Sequence, residues 1–291
     1  MPQLETRNLI DKFKYSVITQ LFDQADIDKF RDWVYKGHCA TIKKKFTSKD
    51  NSQWITRNYL SAKMILSATV MVTSLEYAIK HNLKMSIPYL SYYATITCCR
   101  AFLYTIPENT WNYSKIGNKK FLEMSHSTII NCTGSYLNRL DTVFAENTIK
   151  TIKELKEWRE LFSYKFPSSG LSVIRNYDVN EIIEICSIMC ELAQLSSEQI
   201  QKYVSKKCMY NYEEWAEPEV DLMEAGFMYN DIIDPEDAFR VRYLSRKQPF
   251  PVSIYYTMTE GMVEDYFGAW QEEGEDNYDP DEEWQIIFPV P

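Results

Sequence analysis

Between Lys63 and Glu76 the chain runs from Met64 to Leu75 without a charged residue. A bilayer crossing needs about twenty apolar residues, so this shorter stretch reads as a buried core helix and not as a membrane span. Its wider pattern, Tyr59, Leu60, Ile65, Leu66, Val70, Met71, Leu75 and Ile79, is apolar on most sides. A helix of that kind has to be enclosed by other helices. Asn82-Leu83-Lys84-Met85 reads as a link. Ser86 then reads as an N-cap with Pro88 in the first turn, and a second long helix is expected to reach about Thr105, where Pro107 stops it. Two apolar helices joined so shortly make an antiparallel pair at the centre of a helical bundle.

Further helices flank the pair. Asp26 is placed to cap a helix through Tyr35, with Gly37 as its terminator. Asn147 to Tyr164 carries Ile149, Ile152, Leu155, Trp158 and Phe162 at helical spacing. Asp178-x-x-Glu181 and Ser196-x-x-Gln199 have capping-box spacing, and each is expected to open a helix of about three turns. A longer connection occupies 107–120, and there is no internal repeat. After Cys208 the texture changes: Ala238 to Leu244 alternates with a period of two, and Gln285-Ile286-Ile287-Phe288 is a short β-prone run. The expected fold is therefore mainly α, an antiparallel helical bundle over residues 1–207 with a small, mixed α/β, acidic C-terminal region over 208–291. At 291 residues with 45% hydrophobic composition, the chain can enclose a sizeable core.

The formal charge of -9 is local. Eleven carboxylates and no Lys or Arg lie between Glu260 and Glu283, which leaves 32 basic against 30 acidic residues elsewhere. Such a run is read either as a solvated tail or as an electrostatic decoy over a basic groove. Seven cysteines, an odd number, contain no Cys-x-x-Cys pair, so zinc fingers and thioredoxin-type motifs are excluded. Cys98 and Cys99 fall in an apolar stretch and read as small buried hydrophobes. With an opening Met1-Pro2-Gln3-Leu4-Glu5 that lacks a charged, apolar leader, the expected compartment is the reducing cytoplasm. No metal or cofactor is expected.

A Walker loop, a Rossmann glycine fingerprint, a serine-hydrolase elbow and a His-Glu-x-x-His helix are all absent from the sequence. One spacing remains. Arg31 and His38 are seven residues apart, about two helical turns, so a continuous helix would carry them on one face. An arginine and an imidazole so placed orient a phosphate and take a proton from a ribose hydroxyl, which cleaves RNA without metal. The competing reading is a salt-bridged Arg beside an ordinary loop His, with Gly37 breaking the helix between them. Nearby, Lys36, Lys43, Lys44, Lys45 and Lys49 interleave with Tyr35, Phe46 and Trp54, a mixture of cations and rings that suits a nucleic-acid strand as well as a solvated loop. His81, near a helix end, and His126, beside Ser125 with Lys119 and Lys120 upstream, are read as structural.

The segment Ile87-Pro88-Tyr89-Leu90-Ser91-Tyr92-Tyr93-Ala94-Thr95-Ile96-Thr97-Cys98-Cys99-Arg100-Ala101-Phe102-Leu103 resembles the proline, paired tyrosine and small-apolar helix of YaaC-like proteins, members of the broad HEPN-like group of helical bundles. The resemblance covers the core pair and the bundle to about residue 207. It implies a dimer, and either a ribonuclease or nucleotide-modifying toxin of bacterial stress and antiphage modules or an inactive partner in one. The group's catalytic pattern is an Arg, then a His after four to six intervening positions, and Arg31 with His38 meets that spacing. The chain departs from the group in placing this pair before the core helices, and near His126 Lys120 stands where the Arg is needed. The expected function is an interaction or regulatory subunit that binds RNA, another nucleic acid or a protein partner. The alternative is a dimeric, metal-independent endoribonuclease using Arg31 and His38.

Overall fold

The computed structural model describes residues 13–42, 45–107, 124–173, 178–211, 217–258, 261–271 and 278–289. In chain order its elements are α1 (Ile18–Leu21), α2 (Gln24–Ile42), β1 (Lys45–Thr47), α3 (Ser48–Lys80), α4 (Ile87–Thr105), α5 (His126–Leu137) and α6 (Thr142–Tyr164), with a 3-10 turn at Gly170–Val173. There follow α7 (Val179–Lys207), β2 (Met209–Asn211), α8 (Pro218–Glu224), α9 (Pro235–Lys247), α10 (Ile254–Thr257) and α11 (Met262–Gly268). The fold is mainly α, a helical bundle. Most of the 107–120 connection, Lys43, Lys44, and Glu260, Glu272, Glu273, Glu275 and Asp276 of the acidic run lie outside the described residues.

The core helix α3 starts earlier than its apolar pattern predicts, because Thr47 and Asp50 form a capping box. Asp50 N donates to Thr47 Oγ1 at 3.1 Å, and Thr47 N donates to the Asp50 carboxylate at 2.8 Å. It ends in a Schellman turn: Asn82 takes a left-handed φ of 60°, and Leu83 N donates back to the Ala78 carbonyl at 2.7 Å. The chain then doubles back into α4. Ser61 Oγ donates to the Ala101 carbonyl at 2.8 Å, while Leu75 and Ala78 share a small cluster with Ile87, so the pair runs antiparallel as expected. Ser86 makes no side-chain cap; its hydroxyl bonds the Leu83 carbonyl, and Pro88 alone marks the start. By length and composition α3 passes as a bilayer crossing, yet α4 packs along it and α8, α9, α10 and α11 also pack against it.

Several expectations are corrected. Gly37 does not end α2, which continues to Ile42. A Cβ at this position would come within 3.0 Å of Pro107, so the glycine serves a close approach of chain segments inside a helix. Ser196 opens no new helix. It lies fully buried inside α7 and donates to the Thr105 carbonyl at 2.9 Å, supplying a donor to a carbonyl that the end of α4 leaves unpaired. At the head of α7 Asp178 caps Asn180 N, while Glu181 accepts from Thr151 on α6 and closes no capping box.

A further correction concerns the C-terminal region. Ala238 to Leu244 is helical, inside α9, because Asp234 caps Glu236 N at 2.9 Å and Pro235 occupies the first turn. The period-two impression arises from Phe239 and Tyr243, whose rings stack 6.3 Å apart outside the buried row Asp237, Val241, Leu244. Gln285 to Phe288 forms turns, not a strand, with Ile287 and Phe288 buried. The strand content of this region among the described residues is β2, which pairs parallel with β1 in the register Lys45–Met209, Phe46–Tyr210, Thr47–Asn211.

The C-terminal region does not stand apart. Leu222, Leu244, Ile254, Phe267 and Phe288 belong to the same apolar cluster as the cores of α3, α4 and α7, and Phe288 stacks on Phe13 at 5.1 Å. Polar groups on the first half of α3 fasten it. Asn51 Nδ2 donates to the Gln248 carbonyl at 2.9 Å, while Trp54 Nε1 and Asn58 Nδ2 both donate to Val252 O, at 2.9 and 3.0 Å. These bonds satisfy the buried N–H groups of Asn51, Trp54 and Asn58, while the amide oxygens of Asn51, Gln53 and Asn58 stay buried without a partner among the described residues.

Cys98 and Cys99 on α4 and Cys186 and Cys190 on α7 are fully buried, as expected for the first two, and burial pushes the thiols of Cys98 and Cys99 up. Cys39, Cys132 and Cys208 are half-buried. An aromatic disulfide reagent is expected to titrate no more than these three thiols in the native protein and all seven after unfolding. Rapid native reaction of a fourth would mean that the α4–α7 seam opens.

Residues 278–289 lie along the second half of α3. The Tyr278 hydroxyl donates to Val70 O at 2.7 Å, and the carboxyl of Glu76 faces that of Glu283. Burial, followed by the hydrogen bond and charge of Glu283, raises the Glu76 pKa from 4.5 to about 7. A carboxyl raised in this way stabilises the fold at low pH, and the contribution is lost as pH climbs through about 7. Solvent screening limits the effect to about 1 kcal/mol. Glu76→Gln is therefore expected to melt level with wild type near pH 5 and about 2–4 °C above it at pH 8. Parallel pH–melting profiles for the two proteins would exclude the shared proton.

Candidate functional site

The structure puts Arg31 and His38 on one continuous helix, since α2 runs through Gly37. The imidazole, however, turns into the core. His38 is fully buried, meets the Trp54 ring edge-on at 6.2 Å, and burial lowers its pKa from 6.5 to about 3. It is a neutral group without access to a ribose hydroxyl. Arg31 pairs with Asp28 at 2.6 Å. The two residues share a helix but form no common cleft.

The basic segment divides likewise. Lys36, Lys45 and Lys49 are exposed, whereas Lys43 and Lys44 lie outside the described residues. The rings meant to stack bases are withdrawn: Trp54 and Phe46 are fully buried, and Tyr35 packs edge-on against Tyr203 at 5.7 Å. Trp54 is corrected from a nucleic-acid contact to a core anchor. What remains there, among the described residues, is a set of surface lysines without a stacking platform.

A different group of residues converges at the start of α5. His126 is its first residue, and Ser125 caps the helix by accepting from Thr128 N at 3.2 Å. The fully buried Tyr92 of α4 sets its hydroxyl 2.7 Å from His126 Nδ1, which fixes the ring and leaves Nε2 without a bonding partner among the described residues. From α6, Arg159 lies over the Tyr92 ring with its guanidinium carbon 5.3 Å from the centroid, and Lys156 donates to Ser127 at 3.2 Å. Arg100 of α4 supplies a third cation close enough to act on the imidazole. Glu160 balances part of the charge, 3.2 Å from Arg159 and 3.8 Å from Lys156.

The electrostatics follow from this crowding. Burial first, then Arg100, Arg159 and Lys156, lower the His126 pKa, with Glu160 opposing them. Burial raises that of Tyr92. Three cations against one carboxylate, a neutral half-buried imidazole and the N-terminus of a twelve-residue helix make a site suited to an anion. The Arg159 side chain is only 15% exposed, and its Nε is buried with no hydrogen-bond partner.

No local spacing points to this site. Tyr92 is 34 residues before His126 and Arg159 is 33 after it, so the nearest sequence neighbours, Lys119 and Lys120, divert attention to residues outside the described set. His81 behaves as its position suggests, ending α3 and stacking on Tyr77 at 4.0 Å. Among the described residues no three His, Cys, Asp or Glu side chains gather as metal ligands. Comparison with known protein families, with curated proteins and with solved structures finds no match to this chain.

Proposed function

We propose that this chain is an HEPN-like bundle that binds RNA through its phosphate backbone at the His126 site, acting as an interaction or regulatory subunit of a bacterial defence or stress module. The observation that carries the reading is the convergence of Arg100, Lys156 and Arg159 from two helices onto the imidazole that opens a third. Arg and Lys neutralise phosphates, and Arg159 can also offer two parallel N–H bonds. The exposed Lys36, Lys45 and Lys49 would add long-range attraction. The resemblance to YaaC-like proteins supplies the bacterial setting.

A ribonuclease using Arg31 and His38 has no support in this geometry, because its proton acceptor is sealed in the core. Any cleavage would fall to His126, whose Nε2 takes no bond from a described residue. The test is a fluorescence-anisotropy titration of labelled single-stranded RNA with wild type and with Arg159→Glu, followed by electrophoresis of the RNA. Binding that weakens in the variant while the RNA stays whole supports the proposal. Failure of wild type to bind, or equal binding by both, overturns it. Cleavage that vanishes in His126→Ala converts the subunit into an enzyme.

A further inference from the structure

A second concavity, which shares no residue with the His126 site, lies where residues 226–235 arch over Lys63 of α3. It is a wide-mouthed depression, open to solvent, of about 640 Å³. Lys63 Nζ donates to both oxygens of Asp237, at 2.7 and 2.6 Å, and the Tyr59 hydroxyl donates to the same carboxylate at 2.6 Å. Asp237 is 7% exposed on its side chain, so this ion pair is held rigidly. Phe227, Met228 and Ile233 give the cavity an apolar lining. At its rim Asn230 and Asp231 both take left-handed φ, 49° and 59°, in a tight turn closed by Tyr229 and Ile232. That turn leaves the Tyr229 ring 80% exposed.

The chemistry of the lining selects a ligand class. Lys63 has three N–H groups and Asp237 takes two, so the third is available to an acceptor. Asp234, also in the lining, accepts from Glu236 N through Oδ1, and its Oδ2 takes no bond from a described residue. Asp237 cancels the lysine charge and Asp234 adds a negative one, so a ligand anion gains nothing here, whereas a neutral carbonyl beside an N–H satisfies both groups. Tyr229, 80% exposed at the rim, offers its aromatic surface to a flat ring, while Phe227 packs beneath Lys63 at 5.9 Å. The geometry points to a binding site for a neutral, planar heteroaromatic bearing an amide edge, the pattern of a uracil-type nucleoside, with its carbonyl on Lys63 and its N–H on Asp234.

Uridine is the probe and benzoate its anionic comparison, titrated against the full chain by ligand-observed NMR. Uridine is expected to bind, and Tyr229→Ala, at an exposed position that does not threaten folding, to weaken it about fivefold. The pair Lys63→Met with Asp237→Asn removes both charges together, so neither is stranded, and is expected to abolish the signal. No uridine signal at about 10 mM, unchanged affinity in both variants, or benzoate binding tighter than uridine would each overturn the assignment.

Discussion

Glu191→Ala is expected to cost about 3–5 kcal/mol of stability, because it removes a buried carboxylate that terminates a helix of the opposite end of the chain. Glu191 on α7 is 1% exposed and accepts from Ser16 N at 2.8 Å, Val17 N at 3.0 Å and Ile18 N at 2.8 Å. These are the donors that α1 leaves unpaired at its start. Alanine strands them in a place where water enters poorly. It also loosens the segment that sets Phe13 against Phe288, so the C-terminus should feel the change. Chemical denaturation should give the loss, and the melting temperature should fall by about 10 °C. Glu191→Gln, which keeps one acceptor oxygen, should lose about half as much. A Glu191→Ala protein within about 1 kcal/mol of wild type would show that α1 is not held this way.

Reversing two charges at the His126 site should have the largest effect on binding. Arg100→Glu with Arg159→Glu is expected to weaken single-stranded RNA by at least about a hundredfold at low salt and to flatten the log–log salt slope by about 1.4, two phosphates at roughly 0.7 each. The melting temperature serves as control, since Arg159 also covers Tyr92. The imidazole adds a pH signature. Burial and the three cations, only partly opposed by Glu160, hold its pKa below the ordinary histidine value, and a bound phosphate would raise it, so binding takes up a proton. Affinity should therefore increase as pH falls from 7 toward 5 in wild type and stay flat in His126→Gln. A wild-type affinity independent of both salt and pH would remove phosphate contact from consideration.

The parts legible in the sequence are those set by neighbours along the chain. An uncharged stretch apolar on most sides, a short link from Asn82 to Met85 and a proline in the first turn predict α3 and α4, because burial periodicity and backbone sterics act over a few residues. Errors came where a tertiary partner redefined a local signal. Ser196 has capping-box spacing, yet its hydroxyl serves Thr105 across the bundle and α7 runs straight through. Gly37 has the look of a terminator, yet its missing Cβ makes room for Pro107. In α9 two outward aromatics imitate a strand, while the Asp234-Pro235 start decides for helix.

Sequence alone determined the helical class, the central antiparallel pair, and the burial of Cys98 and Cys99, because each follows from how apolar residues repeat along a short length of chain. Only the tertiary structure decided which histidine meets cations. The imidazole with the right spacing to an arginine turned inward against Trp54, while His126, lacking any local partner, collected Tyr92, Arg100, Lys156 and Arg159 from helices that packing brought beside it. Charge acts through space, over distances that sequence separation does not measure.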